Sequence, residues 1–242
     1  MLDTVKRGVE VSEKSAVEKS KVLTIKRPLR LADEVYDYLY SMLMSLAIVP
    51  GSRIMIDNLV KELGVSHTPI REALSRLEAQ GLVVNTHLVG YSAASQLDPS
   101  QLEKLFDMRL LLEPFAAGQA AAQVSDETIA RLMAIDQSMQ HIQSRDLRGK
   151  FLDFAQSDGQ LHELIAVSSG NELIHDALAR LHTHVHLFRL FYLPSATGEV
   201  NTEHAAIVDG ICRRDPGAAS AAMRFHIEQS RRRFLERYNA AP

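Results

Sequence analysis

The sequence predicts a mainly α-helical chain in two parts. The first is an N-terminal winged helix-turn-helix of three helices plus a β-hairpin. The second is a C-terminal all-α antiparallel bundle of six to seven helices. Three observations predict this. Apolar residues recur at helical period in three segments before residue 82, two short β-rich runs around a polar turn follow, and no alternating strand pattern appears after Tyr91. Residues 1–28 are polar, charged and poor in aromatics, and are expected to form a mostly disordered tail. The winged unit is expected over 29–95 and the bundle over 98–240.

In the winged unit, Leu31, Val35, Tyr38, Leu39, Met42 and Leu46 predict a first helix that ends near Pro50-Gly51. Residues 56–63 form a second, with Leu59, Val60 and Leu63 pointing inward. Gly64-Val65 is the tight connection to a third. In that third helix Ile70, Ala73, Leu74 and Leu77 fall at i, i+3, i+4 and i+7, a buried stripe. His67, Thr68, Arg71 and Ser75 form a row of hydrogen-bonding groups on the opposite side. Ser66 is an expected N-cap, Pro69 sits in the first turn and Gly81 follows the last. The hairpin is expected from Leu82-Val83-Val84, a turn at Asn85-Thr86-His87, and Leu88 to Tyr91. Thr86 and His87 at its tip can reach a neighbouring groove or phosphate.

A helix with one face held down and a polar row on the other can lie in a DNA major groove. Residues 30–95 resemble the DNA-binding domain of GntR-family transcriptional regulators. The resemblance rests on Pro50-Gly51, the run Leu63 to Ser66, Thr68 to Leu74, Arg76-Leu77-Glu78 and Gly81-Leu82-Val83. It implies that Arg71 reads a base, through a bidentate contact to guanine, and that Ser66 and Thr68 hold phosphates. The chain departs from the family at 67, where His67 replaces the usual Arg, and Asp57 stands where some relatives carry another Arg. Fewer fixed positive charges weaken the salt-dependent part of binding.

Charge agrees only faintly with a nucleic-acid partner. The net charge is −3, yet residues 1–95 hold 12 Lys/Arg against 11 Asp/Glu, and the remainder 15 against 19. Hydrophobic content of 46% supports real cores, while no apolar run reaches the ~18–20 residues a bilayer requires. Without a signal-peptide core at the start, the expected compartment is the cytoplasm, away from membrane. The single cysteine, Cys212, excludes an intramolecular disulfide and reads as a buried, inert thiol.

The second part begins with Asp98-Pro99-Ser100-Gln101, a capping side chain, Pro at N1 and Gln at N3. Further helices are expected from Ser125-Asp126, over about 150–168, from Asn171 towards Pro194, over about 199–213, and from Asp215-Pro216 onward. Asp158 and His162 are four apart and share one helix face. His204 lies 11 residues before Asp215 and His226 lies 11 after it. A helix–helix turn at Asp215-Pro216 therefore places both about 16 Å from the bend, level across an antiparallel pair. Three imidazoles and a carboxylate suit a divalent transition metal, zinc first, with nickel, manganese and iron also fitting. His182, His184 and His186 alternate in steps of two, spread around a helix, and read as structural or solvent-facing.

Residues 98–235 resemble the FCD effector domain of the FadR-like branch of the same family. The resemblance is carried by Asp158 with His162, Glu203-His204 with Ile207, Asp215-Pro216 and Phe225-His226. It implies that Asp158, His162, His204 and His226 hold the metal, which helps bind a small organic acid. It also implies that Arg109 faces that effector, where a guanidinium can grip a carboxylate with two hydrogen bonds. The simpler reading of Arg109 is an intrahelical pair with Glu113, although acid-after-base is the less favourable order.

The expected function is a metabolite-responsive regulator, a homodimer on a near-palindromic double-stranded operator, acting as a repressor relieved by its ligand. A metal-dependent enzyme is the rival, since an open metal site can activate water. His162-Glu163-Leu164-Ile165 begins like the zincin motif, but Ala166 stands where its second histidine belongs. Glu163 and Glu203 each adjoin a proposed ligand and, about 100° away round their helices, are expected to face elsewhere. No positioned general base emerges, so no enzyme is expected. A purely structural metal is the third reading.

Overall fold

The computed structural model describes residues 29–142, 147–190 and 197–240. The tail expected at 1–28, and the stretch around Pro194, lie outside the described residues.

The N-terminal core forms around α1 (Leu29–Met44), α2 (Ile56–Leu63) and α3 (His67–Ala79). Ile70, Ala73, Leu74 and Leu77 are all fully buried, as their spacing predicts. Each of the larger side chains contributes ~1.5–3 kcal/mol by leaving water. In α1 the buried stripe is Ala32, Val35, Leu39 and Leu43, whereas Leu31 is exposed and Leu46 lies past the helix at φ 59°. The buried stripe is rotated from the expected one, because the side on which α3 packs selects Ala32 and Leu43. Gly64 ends α2 in the left-handed region, its N–H donating to the Val60 carbonyl. Ser66 takes the extended N-cap backbone of α3, but its side chain makes no capping hydrogen bond.

The wing differs in register from the expected hairpin. Its strands are β2 (Val83–Thr86) and β3 (Gly90–Ala93), paired antiparallel with Thr86 opposite Gly90. Thr86 thus ends a strand, and the turn is His87-Leu88-Val89, with Leu88 at φ 64°. A third strand, β1 (Arg53–Ile54), pairs with β3 to give the order β1-β3-β2. Two residues are too short a run to announce themselves by alternation.

The C-terminal part contains α4 (Pro99–Gln123), α5 (Asp126–Gln140), α6 (Leu147–Ser168), α7 (Glu172–Arg180), α8 (Thr183–Leu190), α9 (Thr197–Cys212) and α10 (Pro216–Ala240). The Asp98/Gln101 capping box is formed in both directions, at 2.8 and 3.0 Å. Ser125 caps α5 and Asn171 caps α7. The single helix expected after Asn171 is two: the chain breaks between α7 and α8 at His182, φ 46°, with no Gly or Pro to signal it.

The α9–α10 hairpin turns at Arg213-Arg214-Asp215, closed by the Asp215 N–H on the Gly210 carbonyl at 3.0 Å. Gly210 is required there, since a Cβ would meet the Ala219 nitrogen at 2.7 Å. That close approach is what brings the two arms of the hairpin side by side.

The two cores meet along a seam. Ala155 of α6 is buried within the N-terminal cluster, with Leu152, Val185 and Phe188 packed against it. Gly81, at φ 72°, lies so close to His182 that a Cβ would overlap its ring. Arg189, fully buried, donates to the Ala94 carbonyl at 2.7 Å.

Candidate functional site

Two sites were anticipated, and α3 carries the first. Ser66, His67, Thr68, Arg71 and Ser75 are all exposed, on the side opposite the buried stripe. Thr86 and His87 are exposed on the wing beside them. Arg71 makes no ion pair among the described residues, so its guanidinium is available to a base edge. Arg76, one turn on, is instead committed to the protein: it pairs with Asp33 at 2.7 Å and lies over the Tyr36 ring at 4.2 Å. The two departures at 57 and 67 prove to be neighbours, His67 Nε2 lying 2.9 Å from Asp57 Oδ1. Arg53, missed in the sequence, donates to the Val89 carbonyl and braces the wing.

The second site is buried in the bundle. His162 of α6, His204 of α9 and His226 of α10 converge so that one ligand atom from each lies within 4.8 Å of the others. The His204 and His226 ring centres are 4.6 Å apart, as the hairpin arithmetic required. Asp158, also buried, stands beside them with Oδ1 3.2 Å from His204 Nε2.

Two of the three imidazoles are oriented from behind. His162 Nδ1 donates to Glu113 Oε2 at 2.6 Å, and His226 Nδ1 donates to Glu203 Oε2 at 2.8 Å. An ionised carboxylate only accepts, so Nδ1 carries the hydrogen and Nε2 keeps its lone pair. Burial drives both rings to the neutral form, outweighing the adjacent carboxylates: His162 is lowered and His226 falls to about 3. Burial opposes ionisation of Glu113 too, but Arg109 and His162 hold it well below the usual carboxylate range. Asp158 is likewise kept ionised against burial by His184 and His204. His162 Nε2 and both His204 nitrogens are buried without a hydrogen-bond partner. Buried polar atoms are normally satisfied, and aligned lone pairs are what a cation would satisfy.

Arg109 is 2% exposed and its Nε donates to Glu113 Oε1 at 2.5 Å, the intrahelical pair that the i, i+4 spacing allows. Burial overrides the unfavourable helical order, because the Arg109 charge taken out of water would otherwise lie uncompensated. Glu203 was expected to face away from the site. Its long side chain instead reaches across to His226 and is clamped by Arg233 at 2.6 and 2.8 Å. Finally, His184 is not a bystander: its Nδ1 meets Asp158 Oδ2 at 2.6 Å, and its ring lies 5.0 Å from that of His162. His184 and His186 lie on α8, whereas His182 stands in the break before it, so no single helix carries all three. Cys212 is half-buried, and burial raises its thiol pKa, which keeps it a weak nucleophile.

A cavity of about 540 Å³ opens beside this cluster. His162, His184 and Glu113 line it, together with residues of α1 and α3.

Comparison with known proteins matches residues 31–91 to the bacterial regulatory proteins of the gntR family, and residues 104–229 to the FCD domain. The chain belongs to the GntR family, in its FCD-containing, FadR-like branch. This regulator is 26% identical over 185 residues to the HTH-type transcriptional repressor GlaR of Escherichia coli (strain K12), covering 74% of this chain and 84% of that one. It is 24% identical over 197 residues to the HTH-type regulator YdhC of Bacillus subtilis (strain 168), covering 80% and 86%. Its fold is similar to that of E. coli McbR/YncC, with a TM-score of 0.65, 20% identity, and coverage of 86% and 98%. The matched families and these relatives are transcriptional regulators, not enzymes, and the chain is a transcriptional regulator of this class. Among the described residues no helix is long and apolar enough to cross a membrane.

Proposed function

We propose that the protein is a ligand-responsive repressor whose helical domain binds a divalent transition metal and, through it, a small organic acid. One observation carries this reading: three buried imidazoles converge, His162 and His204 with unpartnered nitrogens, and His162 and His226 oriented by carboxylates from behind. Such carboxylate–histidine pairs fix the tautomer and raise ligand basicity. His162, His204 and His226 would hold the ion and Asp158 would complete the set, with zinc the first expectation from its nitrogen-rich donors. The bound ion would supply positive charge for an acid's carboxylate. Arg109, while paired with Glu113, would supply further positive charge that faces the acid's carboxylate.

On DNA, Arg71 would read a base edge, with Ser66, His67, Thr68 and Ser75 placing α3 and Thr86 and His87 extending the contact from the wing. A near-palindromic operator requires two chains. Met108, Leu111 and Phe115 expose an apolar stripe on α4, with Phe225 exposed on α10, which supports a homodimer. A regulator acting on bacterial DNA would work in the cytoplasm.

The test is an anisotropy titration of the purified protein against the DNA upstream of its own gene, alongside elemental analysis. Near-stoichiometric metal and salt-dependent, sequence-selective binding are expected. Absence of a footprint there and genome-wide would defeat the regulator reading. A purely structural metal is separated by melting: the effector reading requires candidate acids to stabilise only the metal-loaded protein.

A further inference from the structure

The cavity beside the histidines is not confined to the effector bundle. Its outer wall is Tyr36, Asp37 and Tyr40 of α1, with Ala79 and Gln80 at the end of the recognition helix. The facing wall is Gln156, Gln160 and Glu163 of α6, with His175 of α7. The volume, about 540 Å³, falls within the ~300–1,000 Å³ of ordinary small-molecule sites.

We propose that the effector lies across both domains, as a monocarboxylate whose head meets the histidine end while its uncharged, hydrogen-bonding tail rests on α1 of the DNA-binding unit. This rests on the metal-and-acid reading above and adds the ligand's far-end chemistry and the residues that sense it. Charge decides the class. Among the described lining residues there is no Lys or Arg, whereas Asp37 and Glu163 are both acidic. A second carboxylate or a phosphate beside α1 would face Asp37, with no lining Lys or Arg to offset the like charge. Three glutamine amides suit hydroxyl groups, and the Tyr36 and Tyr40 rings, stacked 5.9 Å apart, offer an apolar face. Burial raises the Tyr40 hydroxyl to about 12, so it stays a neutral donor.

The same wall gives the ligand a short route to DNA. Tyr36 donates to Gln80 at 2.6 Å and carries the Arg76 guanidinium over its ring at 4.2 Å. Both partners belong to the recognition helix or its end. A tail that shifts Tyr36 therefore shifts α3 within the same chain, with no intervening element.

Calorimetry on full-length, zinc-loaded protein tests this with three matched pairs that differ only in a terminal CH₂OH or carboxylate: 5-hydroxypentanoate and glutarate, xylonate and xylarate, 4-(hydroxymethyl)benzoate and terephthalate. In each pair that binds, the monocarboxylate is expected to bind at least tenfold tighter. Asp37→Lys, at an exposed position, is expected to erase or invert that preference. Tyr36→Ala is expected to weaken binding at least tenfold and abolish the ligand's effect on DNA affinity, with zinc content unchanged. If no probe of either kind binds, the acid-effector reading itself fails. If acids bind but the dicarboxylates win, or Asp37→Lys leaves the preference intact, the two-domain site is wrong while the metal reading stands. Misfolding of Tyr36→Ala would leave the Asp37→Lys result to decide.

Discussion

Glu113→Gln removes one charge and no volume at a buried carboxylate shared by Arg109 and His162. Glu113 Oε1 accepts from Arg109 Nε and Oε2 from His162 Nδ1, with Arg109 2% and Glu113 7% exposed at their side chains. Both carboxylate oxygens therefore face donors. A glutamine has one acceptor and one NH₂, so either orientation sets donor against donor. It also leaves the Arg109 cation buried without its counter-charge, and breaking such a pair costs ~3–5 kcal/mol. For a chain of this size each kcal/mol moves Tm by ~2–4 °C, so a fall of roughly 6–20 °C is expected. Arg109→Met in the same protein removes the stranded cation and lets the amide oxygen turn to His162. The double variant is therefore expected to be more stable than Glu113→Gln alone, with a coupling of at least ~2 kcal/mol. Scanning calorimetry of the metal-free single and double variants measures this. Additivity within ~0.5 kcal/mol would show that the pair is not a pair energetically, and would refute the argument. With metal added, Glu113→Gln is further expected to lose ~10–100-fold in metal affinity through His162.

Arg71→Ala is expected to cost ~1–3 kcal/mol of operator binding and to erase discrimination against scrambled duplex, with folding and metal content untouched; anisotropy with both duplexes decides it. His204→Ala is expected to lower bound metal and blunt the ligand response while basal DNA binding persists; full occupancy by elemental analysis would overturn the ligand assignment. Asp57→Asn is expected to tighten non-specific DNA binding, since one acid beside the recognition helix is removed, and titrations at several salt concentrations report it. Burial lowers His186 from 6.5 to about 4, so its folded form resists protonation more than its unfolded form. Its contribution is therefore complete above pH 6.5 and is lost as pH falls towards 4, an effect muted by partial solvent access. Melting curves from pH 7 to 5 are expected to fall less steeply in His186→Gln, and identical slopes would rule out this residue as the cause.

The recognition helix was legible because its signals are local: an apolar stripe, a glycine-closed turn before it and a polar row opposite all sit within nineteen residues, 64–82. The His204/His226 level was legible for a similar reason, since one turn at Asp215 and a constant rise place both. Other features were not local. The stripe of α1 depends on which side α3 occupies, so Ala32 and Leu43 were passed over for Leu31 and Leu46. The wing turn slid to His87-Leu88-Val89 because the pairing of β3 with β1 sets the register, and the turn accommodates it with Leu88 at φ 64°. Cβ direction alone points Glu203 away from the metal position. That argument holds for the metal itself, but not for a nitrogen on the next helix within reach of a three-bond side chain.

The sequence alone determined which stretches are helical apart from the break at His182, which face of the third helix is bare, and which four side chains could gather, because periodicity, caps and turn spacing are short-range physics. Only the tertiary structure decided what stands behind those four, since Glu113, Glu203 and His184 act across helices whose packing no local pattern encodes. It also decided that the cavity belongs to both domains. That depends on how two hydrophobic cores dock along Ala155, Gly81 and Ala94, and docking is settled by the fit of whole surfaces.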